Sequence, residues 1–132
     1  VHFDTAIRFS DGSYAVAAFK TTQPAPYHIE FYGRQLHAYA YALENPAPKG
    51  FSLSPITHLG LLSVSPSDLQ YFDDGRIAYL GDPSWTEIPL DKDRFLLFID
   101  EVLTILEQPE PPEANPECGY CDYRQRTRMS DW

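Results

Sequence analysis

The chain has 132 residues, 43% of them hydrophobic, with eight Phe and nine Tyr. That is enough for a single packed core and too apolar for a disordered segment. Its formal net charge of −9, from 19 acidic against 10 basic side chains, excludes bulk attraction to a polyphosphate, which draws its non-specific affinity from Lys and Arg. No apolar run reaches the roughly 18–20 residues of a membrane-spanning helix. Two cysteines in one Cys-x-x-Cys unit do not make the disulfide framework of a small secreted domain, so a cytoplasmic location is expected. The first residue is Val1 and not an initiator Met, so a fragment or a processed product is expected as well.

Residues 2–9 and 14–20 read as two strands around the turn signal Asp11-Gly12. A two-residue loop at Asp11 and Gly12 would set Asp4 against Phe19. A three-residue loop of Ser10, Asp11 and a left-handed Gly12 would set Phe9 against Ser13 and Asp4 against Ala18. Side chains alternate along strands, so only the second register puts Asp4, Ala18 and Lys20 on one side. Glycine is what that loop prefers at its left-handed position, and the second register is expected.

Residues 21–27 carry two prolines and read as a loop. Over residues 28–44, Ile29, Tyr32, Leu36, Tyr39 and Leu43 recur at steps of three and four, the stripe of a helix that covers a sheet. Asn45-Pro46 stops it. Residues 56–64 predict a long central strand. Residues 69–72 and 76–80 flank Asp73-Asp74-Gly75 as a second hairpin, and residues 86–89 suggest a short edge strand. Asp91 can cap a last helix over residues 92–107, whose buried face is Phe95, Phe98, Ile99, Val102 and Leu106. Pro109, Pro111, Pro112 and Pro116 then predict an extended tail, mobile beyond Pro116. The chain thus divides into a core, residues 1–107, and a Pro-rich tail, residues 108–132, which holds Cys118 and Cys121.

A strand with Asp4, a turn, a strand ending in Lys20, and a helix with Gln35 and Tyr39 resembles the catalytic region of the PD-(D/E)XK nucleases, in particular the RecB-type exonucleases of the QxxxY subgroup. The resemblance is close over about residues 3–44 and looser beyond. It implies an α/β, restriction-endonuclease-like core with a mixed central sheet flanked by helices. It also implies hydrolysis of DNA, single- or double-stranded, with Mg²⁺ or Mn²⁺, in repair, recombination or mobile-element defence. A larger parent chain or a helicase would be the protein partner. The family carries a His or Glu on a helix upstream of the strand acid, which is expected to be missing from this fragment.

The chemistry explains the motif. Phosphodiester hydrolysis at neutral pH needs a hard cation that lowers the pKa of water and neutralises charge on the phosphorane. Magnesium takes oxygen ligands, typically one or two carboxylates, and a lysine beside it stabilises developing charge. By resemblance Asp4 is the first metal-binding acid, Lys20 the lysine, and Gln35 and Tyr39 the QxxxY pair, one helical turn apart on one face. Ala18 stands where the second acid belongs. With one charged ligand left, metal is expected to be held weakly and activity to be lost or severely reduced. Glu30 could substitute from the helix, although a solvated first-turn Glu favoured by the helix dipole is the simpler reading. Singly, each residue has a plain structural role: Asp4 and Lys20 at the surface, Ala18 packed under the helix, Tyr39 in the core, Gln35 toward water. Their joint order and spacing carry the resemblance. A non-catalytic scaffold that binds nucleic acid or protein on the same fold is the alternative. An unrelated acidic interaction domain would show Asp4 and Lys20 on different faces.

RecB-like nucleases, CRISPR-associated relatives among them, close with a Cys-x-x-Cys and a further cysteine that bind a [4Fe–4S] cluster with one cysteine from upstream. Such a cluster needs four ligands; here Cys118 and Cys121 are the only cysteines and Thr127 stands near where a third would be. A histidine (His2, His28, His37 or His58) could help complete a zinc site, but none has paired spacing. The resemblance therefore implies an incomplete iron–sulfur or zinc site, with free thiols or a disulfide. The run Arg124, Arg126 and Arg128 reads as a solvated tail.

Overall fold

A computed structural model describes residues 3–113 and 115–128. The chain divides into two compact units between Leu96 and Leu97. The first unit contains β1 (Thr5–Arg8), β2 (Tyr14–Lys20), α1 (Pro26–Glu44), β3 (Ile56–Tyr71) and β4 (Ile77–Ile88), with the strands in the order β1-β2-β3-β4. The outer pairs are antiparallel and the central β2–β3 pair is parallel, joined through α1 as parallel neighbours require. This is a mixed α/β sheet of the restriction-endonuclease-like kind. His2, expected in the first strand, lies outside the described residues.

The first turn is the three-residue loop. Phe9 N donates to Ser13 O at 2.9 Å and Gly12 N to Phe9 O at 3.1 Å, with Gly12 at φ +88°. The carboxylate of Asp11 accepts from Ser13 N at 2.9 Å and from Ser13 Oγ at 2.7 Å. These bonds, the Ser13 hydroxyl foremost, hold the Asp11 carboxyl below its ordinary value of 3.8. Pairing runs Arg8 with Tyr14 through to Thr5 with Ala17.

One face of the sheet is sealed by α1. Val16 and Ala18 of β2, Leu59 and Leu61 of β3, Ile88 of β4 and Leu36, Ala40 and Leu43 of α1 form the buried cluster. Alanines along β2 and Gly33, where a Cβ would meet Ile88 Cγ2 at 3.5 Å, let helix and sheet approach closely. The helix begins at Pro26, inside the stretch read as loop: proline is tolerated in the first turn, where its missing N–H would have no partner.

The second half of the sheet departs from the sequence reading. The four short strands expected over residues 56–89 are two long ones, β3 and β4, in a single hairpin. Pro66 and Pro83 made the pattern look interrupted. Pro66 sits at a bulge where Ser67 is the extra residue, and Pro83 lies on the edge strand β4, the two places where a strand accommodates proline. Across the bulge the backbones crowd: a Cβ on Gly81 would stand 2.3 Å from Ser65 O.

Beyond β4, Asp91 caps α2 (Lys92–Leu106), its Oδ1 accepting from Arg94 N at 2.9 Å. His37 Nε2 accepts from Asp91 N at 2.9 Å while its Nδ1 lies 2.7 Å from Gly33 O, and Phe95 stacks on the same ring. Lys92 pairs with Glu44 at 2.6 Å.

In the second unit the tail is not extended after Pro116. Glu117 N bonds to Asn115 Oδ1 and Cys118 N to Asn115 O, each at 2.9 Å. This turn launches α3 (Gly119–Arg128), a helix that sequence reading missed because its composition is strongly polar.

Two outcomes follow from the turn and the bulge. Asp11→Ala is expected to destabilise the protein at neutral pH; because the folded carboxyl titrates below its ordinary value, that difference should fade as pH falls below 3.8. Urea midpoints of both proteins at neutral and acid pH check it. Gly81→Ala is expected to cost roughly 1–3 kcal/mol by overpacking against Ser65, read as a lower urea midpoint at unchanged slope.

Candidate active site

Lys20 is the last residue of β2. Val16 and Ala18 face α1 within the core, and Lys20 continues that alternation. Its ammonium lies 4.0 Å from the centroid of the Tyr32 ring on α1, a cation–π contact. The β1–β2 pairing ends at Thr5 opposite Ala17, and Asp4 lies in the bend just before β1. Asp4 is exposed and Lys20 half-buried. The Asp4 carboxylate also has a backbone role: Oδ2 accepts from Phe19 N at 2.8 Å, closing the ladder where backbone pairing with β1 stops.

On α1, Gln35 Nε2 donates to Tyr39 Oη at 2.6 Å. Both side chains are half-buried, and Tyr39 packs against the core cluster, so the pair lies on the helix flank that meets the sheet. Glu30 belongs to the opposite situation. Its carboxylate is largely exposed and pairs with Arg34 one turn on.

Sequence reading did not single out three polar neighbours. Ser63 pairs with Lys20 across the parallel strands and with Ser84 on β4. Ser63 is fully buried, and its hydroxyl has no hydrogen-bond partner among the described residues. Gln23, from the loop after Lys20, donates to Ser84 Oγ at 2.8 Å. Only the long-range register links these side chains, so no local pattern could reveal them.

A sequence model of the PD-(D/E)XK nuclease superfamily matches residues 3–126. The chain belongs to the PD-(D/E)XK nuclease superfamily. No curated protein and no solved structure matches it. Membership brings nuclease-type phosphodiester hydrolysis, nucleic-acid binding and, as a rule for the superfamily, a divalent metal. No helix among the described residues is long and apolar enough to cross a membrane.

The donor set at this site does not fit a resident metal. Position 18 offers a methyl group, and the one carboxylate beside it already accepts the Phe19 amide. Among the described residues no three His, Cys, Asp or Glu side chains converge. A hard cation held by one carboxylate depends on water and substrate for the rest of its shell.

The cysteines fare no better as cluster ligands. Cys118 and Cys121 lie together at the start of α3, but Thr127 bonds the backbone carbonyls of Tyr123 and Arg124. Among the histidines, His28 accepts from Ala25 N, His37 is engaged as above, and His58 packs on Phe9; His2 lies outside the described residues. Two thiols fill half of a tetrahedral or cubane site. The Cys121 thiol and amide, both directed at Cys118 Sγ, hold Cys118 below the ordinary thiol value of 9.0, and the same contact pushes Cys121 above it. In the basic run, Arg126 pairs with Asp122 at 2.8 Å, and the Arg128 side chain lies outside the described residues.

Calorimetric titration with Mg²⁺ or Mn²⁺ is expected to show no tight site. Stoichiometric binding that survives in Asp4→Asn would place the metal elsewhere, and binding lost in that variant would mean that one carboxylate suffices.

Proposed function

We propose that the chain is a RecB-type nuclease domain of the QxxxY subgroup in which Ala18 occupies the position of the second metal-binding acid, so that Mg²⁺-dependent hydrolysis of DNA is lost or severely reduced. The observation that carries this reading is the bond from Phe19 N to the Asp4 carboxylate at 2.8 Å, which keeps the acid beside the strand segment that carries position 18 and Lys20. Other residues support the same reading. Lys20 offers an ammonium to a phosphate oxygen. Gln35 and Tyr39 offer an amide and a phenol from one helix face. Asp4 keeps one carboxylate. The domain would serve DNA repair, recombination or defence in the cytoplasm, within a larger chain or beside a helicase.

A second reading, a non-catalytic scaffold for nucleic acid or protein, is favoured by the burial of Ala18. At 2% exposure it is part of the core, which a metal-binding position is not. Ala18→Asp separates the two. It is expected to gain Mg²⁺-dependent cleavage of labelled DNA by about a hundredfold or more over the parent chain, the worth of a few kcal/mol of metal-borne charge stabilisation. Ala18→Asn, of the same size but uncharged, should gain nothing, and Lys20→Ala should abolish the gain. An Ala18→Asp protein that unfolds cooperatively yet cleaves no DNA would favour the scaffold.

A further inference from the structure

The nuclease reading leaves Cys118 and Cys121 without a role, and they do not complete a metal site. Their geometry suits a different chemistry. Cys118 is the N-cap residue of α3 and Cys121 lies three residues on, its amide donating to Cys118 Sγ at 3.2 Å. Positions three apart on a helix have Cα atoms about 5 Å apart, from its 1.5 Å rise and 2.3 Å radius, inside the range of roughly 4.4–6.8 Å that a disulfide spans. Both sulfurs are half-buried in a shallow cleft with Asn115, Glu117, Asp122 and Gln125. Between them a Cβ on Gly119 would meet nothing within 4 Å and Tyr120 is 73% exposed, so a small molecule can approach. The nearby Asp122 carboxylate is taken by Arg126.

We propose that Cys118 and Cys121 form a reversible dithiol–disulfide pair, in which Cys118 attacks a partner disulfide and Cys121 resolves the adduct. The asymmetry comes from position. A sulfur at the N-cap receives an amide hydrogen and the positive end of the helix, which favour its thiolate; Cys121, one turn inside, faces that thiolate. The opposite shifts of the two thiols agree with this order. The Cys118 thiolate attacks one sulfur of a low-molecular-weight disulfide such as oxidised glutathione, forming a mixed disulfide and expelling one thiolate. Cys121 loses its proton to solvent, attacks Cys118 Sγ and expels the second. Two electrons pass from the protein dithiol to the partner disulfide, which leaves as two thiols.

The test uses the reduced 132-residue chain in glutathione buffers of increasing oxidised fraction, quenched in acid, alkylated and weighed intact. Conversion of both thiols to one intramolecular disulfide is expected, without a standing mixed disulfide. Cys121→Ser should stop as the glutathione adduct on Cys118. Cys118→Ser, which keeps a good N-cap residue, should react with oxidised glutathione about tenfold more slowly than Cys121→Ser. Equal rates for the two variants would overturn the proposal, as would a wild-type chain that accumulates the adduct without closing the ring. So would a reduced chain carrying about one zinc or four irons that shield both thiols from alkylation.

Discussion

Gly12 adopts a φ of +88°, a conformation that costs an L side chain about 1–2 kcal/mol and glycine far less. It allows three residues to close the first turn, and the parity of that loop determines which face of the sheet each side chain of β1 occupies relative to β2. With one residue fewer, the pairing of Arg8 with Tyr14 through Thr5 with Ala17 would slip and the side chains of β1 would change faces. Asp11 braces the same loop through Ser13, and Asp4 fastens the far end through the Phe19 amide. The first strand is thus fixed at both ends.

The second determinant is the parallel step from β2 through α1 to β3. It buries the alanine-rich center of β2 between two neighbours and brings Ser63 beside Lys20. Lys20 thus stands at the carboxyl end of a parallel strand, where open α/β sheets commonly bind ligands. Cationic groups are scarce in a chain of net charge −9, so any grip on a phosphate here is local and centres on Lys20.

Much of this was legible because it rests on short-range rules. The Asp-Gly turn, the helix stripe, the Asp91 cap and the strand–turn–strand–helix order could all be read along the chain. The long hairpin could not, since a proline looks the same in sequence whether it ends a strand or sits at a bulge or an edge. Pro66 and Pro83 do the latter. Helix α3 escaped for want of an apolar stripe; its start depends on Asn115 and Cys118 bonding to nearby backbone. The polar neighbours of Lys20 escaped because Ser63 and Ser84 reach it only through strand pairing across more than forty residues. The depth of Ala18 was equally hidden. Its alternation with Lys20 says which side it is on, but only the packed helix shows that the side is sealed.

That sealing sets a condition on any acid at position 18. A carboxylate placed among Val16, Leu36 and Leu61 would be desolvated and would carry its charge only when a cation or a donor came with it. The methyl group asks for neither. Natural chains tend to gain stability when an active-site polar group is exchanged for an apolar one, at the expense of function. Once alanine occupies the pocket, later substitutions around it can tighten the packing, and each tightening raises the barrier to readmitting an acid. Under the proposed reading, position 18 would act as a ratchet: the same close contact between helix and strand that stabilises the sheet would hold the chain on the side of folding and away from metal chemistry.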